Sequence, residues 1–389
     1  MNPLFADQPL TIFEHMSGLA RAHGAANLGQ GFPDFGWPDD VIAAAAKALA
    51  LGSNQYPPMR GLPELREAVS GHYRVHQGVD CHPDQVIVTS GGTEALAASF
   101  MALIRPGDEV LLLEPMYDSY LPIVQQCGGI ARLARLQPPD WRLTPELVAS
   151  AFTQNTRMVV FTNPHNPTAR VFQAEELALL ADACVRHDAI LVSDEVWEHL
   201  LLDGRRHIPL ASLPRMAERT VKIGSGGKMF SMTGWKVGWA VAPAPWAQAI
   251  ANAHQFLTFT TPPNLQAGVA FGLSKGPEFF EAMRSRFAQA RDFLVAGLNE
   301  VGFVTLPVEG SYFVCVDLAV SGIGLDDRQF CERAVTEAGV AAIPLSTFYC
   351  GDAPRHLLRL CFAKRRETIE AGIRGLMRAK QALARDGRS

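Results

Sequence analysis

The stretch Ser225-Gly-Gly-Lys228-Met-Phe-Ser-Met-Thr-Gly-Trp-Lys236-Val-Gly238 says more than any other part of this chain. It sets one lysine in a tight turn of small residues, with a hydroxyl three residues earlier and a second cation eight residues later. A lysine amine taken out of water loses its preference for the charged form, so its pKa falls and it can attack a carbonyl carbon. Ser225 and Lys236 offer a hydroxyl and a cation to a phosphate that would keep such a carbonyl in place. One cofactor, pyridoxal phosphate (PLP) bound as a Schiff base, meets both demands. The turn alone also reads as a solvated loop lysine.

Outward from this turn the chain alternates strand and helix. Thr220-Val-Lys-Ile-Gly leads into it and Trp235 to Pro243 reads as a strand leaving it. Upstream, Gln85-Val-Ile-Val-Thr-Ser is a β-branched run ending in Gly91-Gly92, and a helical pattern runs from Thr93 to Ile104. Further strands read at Glu109 to Glu114, Arg157 to Thr162 and Ala189 to Ser193, with helical periodicity from Ala174 to His187. Apolar strands alternating with helices predict an α/β fold with a mostly parallel sheet covered on both faces. In such sheets ligands lie beyond the carboxyl ends of the strands. From about residue 284 the pattern changes: a long helix, a Pro/Gly break, the strand at Gly310 to Asp317, and helices around Asp326 and at the C-terminus. The expected organisation is an N-terminal arm over 1–40 packing on a small α+β domain over 284–389, with a large domain over 41–283 between them.

Composition narrows the class. Of 389 residues, 48% are hydrophobic and 19% charged, enough for a large core and a second lobe. A net charge of -4 without basic runs predicts no nucleic-acid partner, and no apolar stretch is long enough to predict a membrane span. The start Met1-Asn-Pro-Leu-Phe-Ala-Asp lacks a secretion signal's basic and apolar regions. Seven scattered cysteines, none in a C-x-x-C pair, predict reduced thiols in a cytoplasmic enzyme. No metal-ligand spacing is present, and the i,i+4 pair His72/His76 reads as a surface-helix pair.

The residues that carry chemistry follow the strands. Asp194 suits a carboxylate facing a pyridine nitrogen, which keeps that nitrogen protonated so that the ring accepts electrons; it also reads as a helix cap. Asn166, in Asn163-Pro-His-Asn-Pro-Thr, either donates to a ring oxygen or makes an Asx turn. Gly91-Gly92-Thr93 opens a helix whose free N–H groups attract phosphate. Tyr117 reads as a stacking ring or as core. Arg359, inside the apolar run Leu357 to Phe362, needs an anion, either a substrate carboxylate or a structural partner.

Taken in order, Thr93, Tyr117, Asn166, Asp194, Ser225/Lys228/Lys236 and Arg359 resemble the class I/II, fold-type I PLP-dependent aminotransferases. The likeness is greatest to the kynurenine/glutamine and methionine aminotransferase group, which includes cysteine-S-conjugate β-lyases. It runs from Asn27-Leu-Gly-Gln-Gly-Phe-Pro-Asp-Phe through Asn54-Gln-Tyr56, Asp194-Glu-Val, Ile208-Pro-Leu-Ala-Ser-Leu-Pro and His254-Gln to Ile343-Pro-Leu-Ser-Thr-Phe-Tyr. The resemblance implies a large domain with a mostly parallel seven-stranded sheet. It implies that Lys228 forms the Schiff base and then shuttles a proton, and that Asp194 pairs with the pyridine nitrogen. Asn166 would meet the ring's phenolic oxygen and the substrate carboxylate, and Arg359 would clamp that carboxylate beside Gly31. Gly92, Thr93, Ser225 and Lys236 would hold the phosphate, Tyr117 would stack on the ring, and Tyr56 would reach the phosphate across a homodimer interface. Phe13, Trp37 and residues 256–261 would line or lid the substrate pocket.

Two departures stand out. Trp197 occupies the place of a tyrosine that donates a hydroxyl to the phenolic oxygen, so the Schiff base is expected to titrate at higher pH unless the indole N–H takes over. Ala169 replaces a glycine, so the turn after Asn166 is expected to shift. The resemblance implies ping-pong transfer of an amino group from an L-amino acid (methionine, glutamine, aromatic or kynurenine-like) to a 2-oxo acid. A β-lyase on cysteine conjugates uses the same residues. A non-catalytic PLP-binding regulator would carry a DNA-binding segment ahead of the arm, which the arm's position leaves no room for.

Overall fold

The computed structural model describes residues 1, 3–6 and 10–386; the arm's residues 2 and 7–9 lie outside that description. Seven strands build the main sheet: β1 (Val86–Ser90), β2 (Glu109–Glu114), β3 (Ile130–Arg135), β4 (Thr156–Thr162), β5 (Ile190–Asp194), β6 (Thr220–Ser225) and β7 (Val237–Val241). Their spatial order is β1-β7-β6-β5-β4-β2-β3, and only β7 runs against its neighbours. The middles of the inner strands are apolar on both sides because each face meets its own core. Val88, Leu111, Val159, Phe161 and Leu191 pack on one side, and Ile87, Leu112, Val160 and Val192 on the other. Each such side chain stabilises the fold by about 1.5–3 kcal/mol.

Register brings the strand ends to one level. Asp194, the last residue of β5, pairs with Thr162 on one side and Ile223 on the other. Helix α1 (Gly91–Leu103) starts directly after β1, α2 (Tyr120–Gln126) follows β2, α3 (Ala174–Arg186) connects β4 to β5, and the single turn α4 (Gly226–Met229) follows β6. Strand β7 passes so close to the start of α1 that a Cβ at Gly238 would lie 2.6 Å from the Gly91 carbonyl carbon. Only glycine fits there.

A second sheet holds β8 (Val304–Thr305), β9 (Phe313–Asp317), β10 (Ile343–Pro344) and β11 (Leu357–Cys361) in the antiparallel order β10-β11-β9-β8. Helix α5 (Pro277–Glu300) precedes it and α6 (Arg366–Asp386) follows. Arg359 lies in β11 between Cys315 and Ile343. The arm is tied to this sheet's surroundings by Ala26–Asn27, which pairs in parallel with Val340–Ala341. Among the described residues no helix is long and apolar enough to cross a membrane.

Two local readings change. The helix Pro63–Gln77 does carry His72 and His76, but His72 is only 3% exposed. Its Nε2 lies 2.7 Å from His199 Nε2, and burial lowers its pKa to about 4. A surface-helix pair is therefore the wrong description, because the helix turns this face toward Phe280 and His199. The turn after Asn166 keeps a left-handed residue: Ala169 sits at φ 63 and is fully buried, accepting from the Glu309 and Gly310 N–H groups through its carbonyl. Those bonds offset a cost of roughly 1–2 kcal/mol for alanine in that conformation.

Candidate active site

The carboxyl ends of the central strands surround a cavity of about 390 Å³. Gly92, Thr93, Tyr117, Asn166, Asp194, Trp197, Ser225, Lys228 and Lys236 all line it; Lys236 comes just before the antiparallel β7, and each of the others from a strand end or the turn or helix start that follows.

Lys228 is held by its own turn: Ser225 caps α4, its hydroxyl accepting from the Lys228 backbone N–H at 3.4 Å. Burial lowers the Lys228 amine to about 8, and Arg359 and Lys236 push the same way against the pull of Asp194. The amine donates to the Tyr312 hydroxyl at 3.3 Å and stands 4.7 Å above the Trp197 ring. Tyr312 in turn donates to the Gly31 carbonyl at 2.7 Å and packs edge-on to Trp197, with ring centroids 4.4 Å apart. Gly31 needs to be glycine, since a Cβ there would fall 2.7 Å from the Phe313 ring.

Asp194 is a buried carboxylate with no cation bonded to it among the described residues. Burial raises its pKa, and the Tyr120 hydroxyl opposes this by donating to Oδ2 at 2.6 Å. Oδ1 accepts only the Val196 N–H, at 3.4 Å. Beneath it, Glu195 and Glu198 share the buried ammonium of Lys222, and Glu195 also meets His207 at 2.6 Å. Burial raises the Glu195 carboxyl, yet Lys222 and His207 bring it down to about 2. The grouping of Glu195, Glu198 and His207 has metal-ligand spacing, but Lys222 supplies the cation there.

Arg359 is 1% exposed and bonds to no carboxylate among the described residues, though Asp118 is near enough to favour its charge. It donates from Nη1 to Asn166 Oδ1 at 2.9 Å and from Nη2 to the Gly29 carbonyl at 3.2 Å, while its buried Nε has no partner among the described residues. The rings of Phe13, Phe313 and Phe348 box the guanidinium at 5.1, 3.9 and 4.9 Å. Burial lowers its pKa to about 10, which leaves it charged at neutral pH.

Some expected residues lie elsewhere. Tyr56 is 82% exposed and packs on Phe259, and Trp37 is half exposed; neither lines this cavity. Gly31 and Phe13 reach the site only through Tyr312 and Arg359. Sequence reading passed over Tyr120, Tyr312, Phe313 and Phe348. Only the spacing of Tyr120 three residues after Tyr117, on one face of the chain after β2, carried a signal.

Residues 24–376 match the family Aminotransferase class I and II. The chain belongs to that family. It is 42% identical over 381 residues to the methionine aminotransferase of Escherichia coli K12, covering 96% of this chain and 98% of that one. Against human kynurenine–oxoglutarate transaminase 1 the identity is 35% over 387 residues, covering 91% and 92%. The solved structure of N-succinyldiaminopimelate aminotransferase from Mycobacterium tuberculosis superposes with a TM-score of 0.92 at 42% identity, covering 95% and 97%. The protein is thus an aminotransferase of fold type I, and its cofactor is PLP. The cavity's donor set fits that group. Asp194 offers an enclosed carboxylate with one oxygen nearly free. Lys236 offers an ammonium with no carboxylate partner among the described residues, beside the N-terminus of α1.

Proposed function

We propose that this aminotransferase takes its amino group from an L-amino acid with an uncharged, sizeable side chain, such as methionine, glutamine, an aromatic residue or kynurenine, and passes it to a 2-oxo acid. The observation that carries the reading is the Arg359 box. One unpartnered guanidinium N–H is available to an α-carboxylate, walled by Phe13, Phe313 and Phe348, and no arginine lines the cavity itself among the described residues. A side chain bearing a second carboxylate would meet aromatic rings there.

Bound PLP supplies a protonated pyridine ring that draws electron density from the substrate's Cα. Asp194 keeps that ring nitrogen protonated, and Tyr120 keeps Asp194 charged. Lys228, with its amine near neutral pKa, carries the proton to and from Cα. Asn166 accepts from Arg359 through Oδ1, which leaves its N–H₂ for the phenolic oxygen and the substrate carboxylate. Gly92, Thr93, Ser225 and Lys236 would hold the phosphate and Tyr117 would stack on the ring, while Phe13, beside Arg359, and Trp37, outside the cavity, would lid the bound substrate.

A second copy of the chain completes the phosphate grip through Tyr56. Its 82% exposure, together with exposed Leu51, Phe256 and Phe259, supports a homodimer with shared sites. The arm (1–40), the large domain (41–283) and the small domain (284–389) are the units of this reading. Seven free cysteines, five of them buried, support a cytoplasmic location.

The test is a panel of amino donors run against several 2-oxo acids, with each half-reaction followed by PLP absorbance and pyruvate release from cysteine conjugates assayed in parallel. Methionine, glutamine and aromatic donors are expected to turn over fastest. Preference for aspartate or another dicarboxylic donor overturns the proposed substrate class.

Trp197 gives a spectroscopic prediction. Its ring face lies 4.7 Å from the Lys228 nitrogen and favours the positively charged form, in the same direction as the missing tyrosine hydroxyl. In Trp197→Tyr the visible absorbance of the PLP-loaded enzyme should therefore titrate at lower pH. An unchanged or higher midpoint removes Trp197 from that role.

A further inference from the structure

A second cavity, of about 370 Å³, lies between the arm, α5 and the start of α6 and shares no lining residue with the first. Its walls are positively charged. Lys364 lines it with only 3% exposure, yet its ammonium meets no carboxylate among the described residues. It donates to the Phe32 carbonyl at 2.8 Å and stands 4.0 Å from the Phe32 ring. A buried charge without a counter-ion is costly, so such groups are usually paired. The Arg286 and Arg365 side chains line the same cavity and also meet no carboxylate among the described residues. Arg366 is already paired with Glu370 and lies 4.2 Å from the Phe293 ring. Glu367 contributes one negative charge and Asp34, bonded to the Arg365 N–H at the cavity's edge, a second, leaving one positive charge in excess.

The end of α6 does not by itself account for the site. Asp34 already caps it, accepting from the Arg365 N–H at 2.6 Å and the Thr368 hydroxyl at 3.1 Å. What remains open is the side-chain cluster, above a floor of Phe35, Ala290, Phe293 and Ile369.

We propose that this cavity is a binding site for an organic anion with an apolar body, its charge held by Arg286, Lys364 and Arg365 and its apolar part by Phe35 and Phe293. The excess positive charge sets the sign of the ligand's charge, and the aromatic floor separates it from a bare inorganic ion.

Phenyl phosphate is the probe, titrated calorimetrically into the PLP-loaded enzyme so that the first cavity's phosphate site is filled. Saturable binding of one phenyl phosphate per chain is expected, weakened by added salt. Arg286→Gln and Arg365→Gln, both at exposed positions, should each weaken it about fivefold, the upper end for an exposed charge contact. Inorganic phosphate should bind more weakly, lacking the apolar body. No saturable binding, wild-type affinity in both variants, or equal binding of inorganic phosphate overturns the proposal. So does loss of PLP absorbance during the titration, which places the probe in the first cavity.

Discussion

Lys228→Ala is expected to lower transamination by about 10⁴-fold, the upper range for removing a positioned proton-transfer group. The same change should abolish the absorbance that marks PLP attached to the enzyme. Lys236 also lines the cavity, but it stands beside the N-terminus of α1 and Gly91, so it is not placed to substitute. The wild type carries a linked pH dependence. Burial lowers the Lys228 amine to about 8, so the neutral, nucleophilic form dominates above that pH. Below it, each pH unit cuts the neutral fraction about tenfold. Stopped-flow capture of PLP by the apoenzyme should therefore quicken as pH rises toward about 8 and level off above it. Retained amino-group exchange in Lys228→Ala would falsify the assignment.

The lysine turn was legible because its residue types have few uses together, and the strand ends were legible because apolar runs stop at polar residues. Strand β3 was not singled out. It lies at the sheet's edge with Ile130, Leu133 and several neighbours exposed or half exposed, so its pattern mixes arginines with apolar residues. Arg359 was read as needing an anion, and the structure refines that reading. Its fixed partners are Asn166, the Gly29 carbonyl and three aromatic rings, which leave a donor over for a ligand. Tyr312 could not be read at all. It stands 84 residues from Lys228, and only the packing of β9 against the arm brings its hydroxyl between Lys228 and Gly31. A tyrosine in an apolar run looks like core until its partner is known. Tyr56 shows the opposite limit: its ring is exposed in one chain, and the phosphate contact proposed for it needs a second.

Asp194→Asn should cost about 10²–10³-fold in turnover, the range found for removing one preorganised charge-stabilising group. An amide of the same shape fills the space but cannot hold a proton on the ring nitrogen. Tyr120→Phe separates charge from shape. Burial raises the Asp194 carboxyl and the Tyr120 hydrogen bond lowers it, so deleting the hydroxyl lets that pKa rise. Activity that needs the carboxylate disappears as pH falls through this pKa. The acid limb of the kcat profile should therefore move to higher pH in Tyr120→Phe, with activity near wild type well above it. A merely structural Tyr120 would lower activity evenly across the pH range. An acid limb that stays in place or moves down sinks the role of Tyr120, and wild-type turnover in Asp194→Asn sinks that of Asp194. The two variants also test each other: if Tyr120 acts through Asp194, adding Tyr120→Phe to Asp194→Asn should lose little more than Asp194→Asn alone.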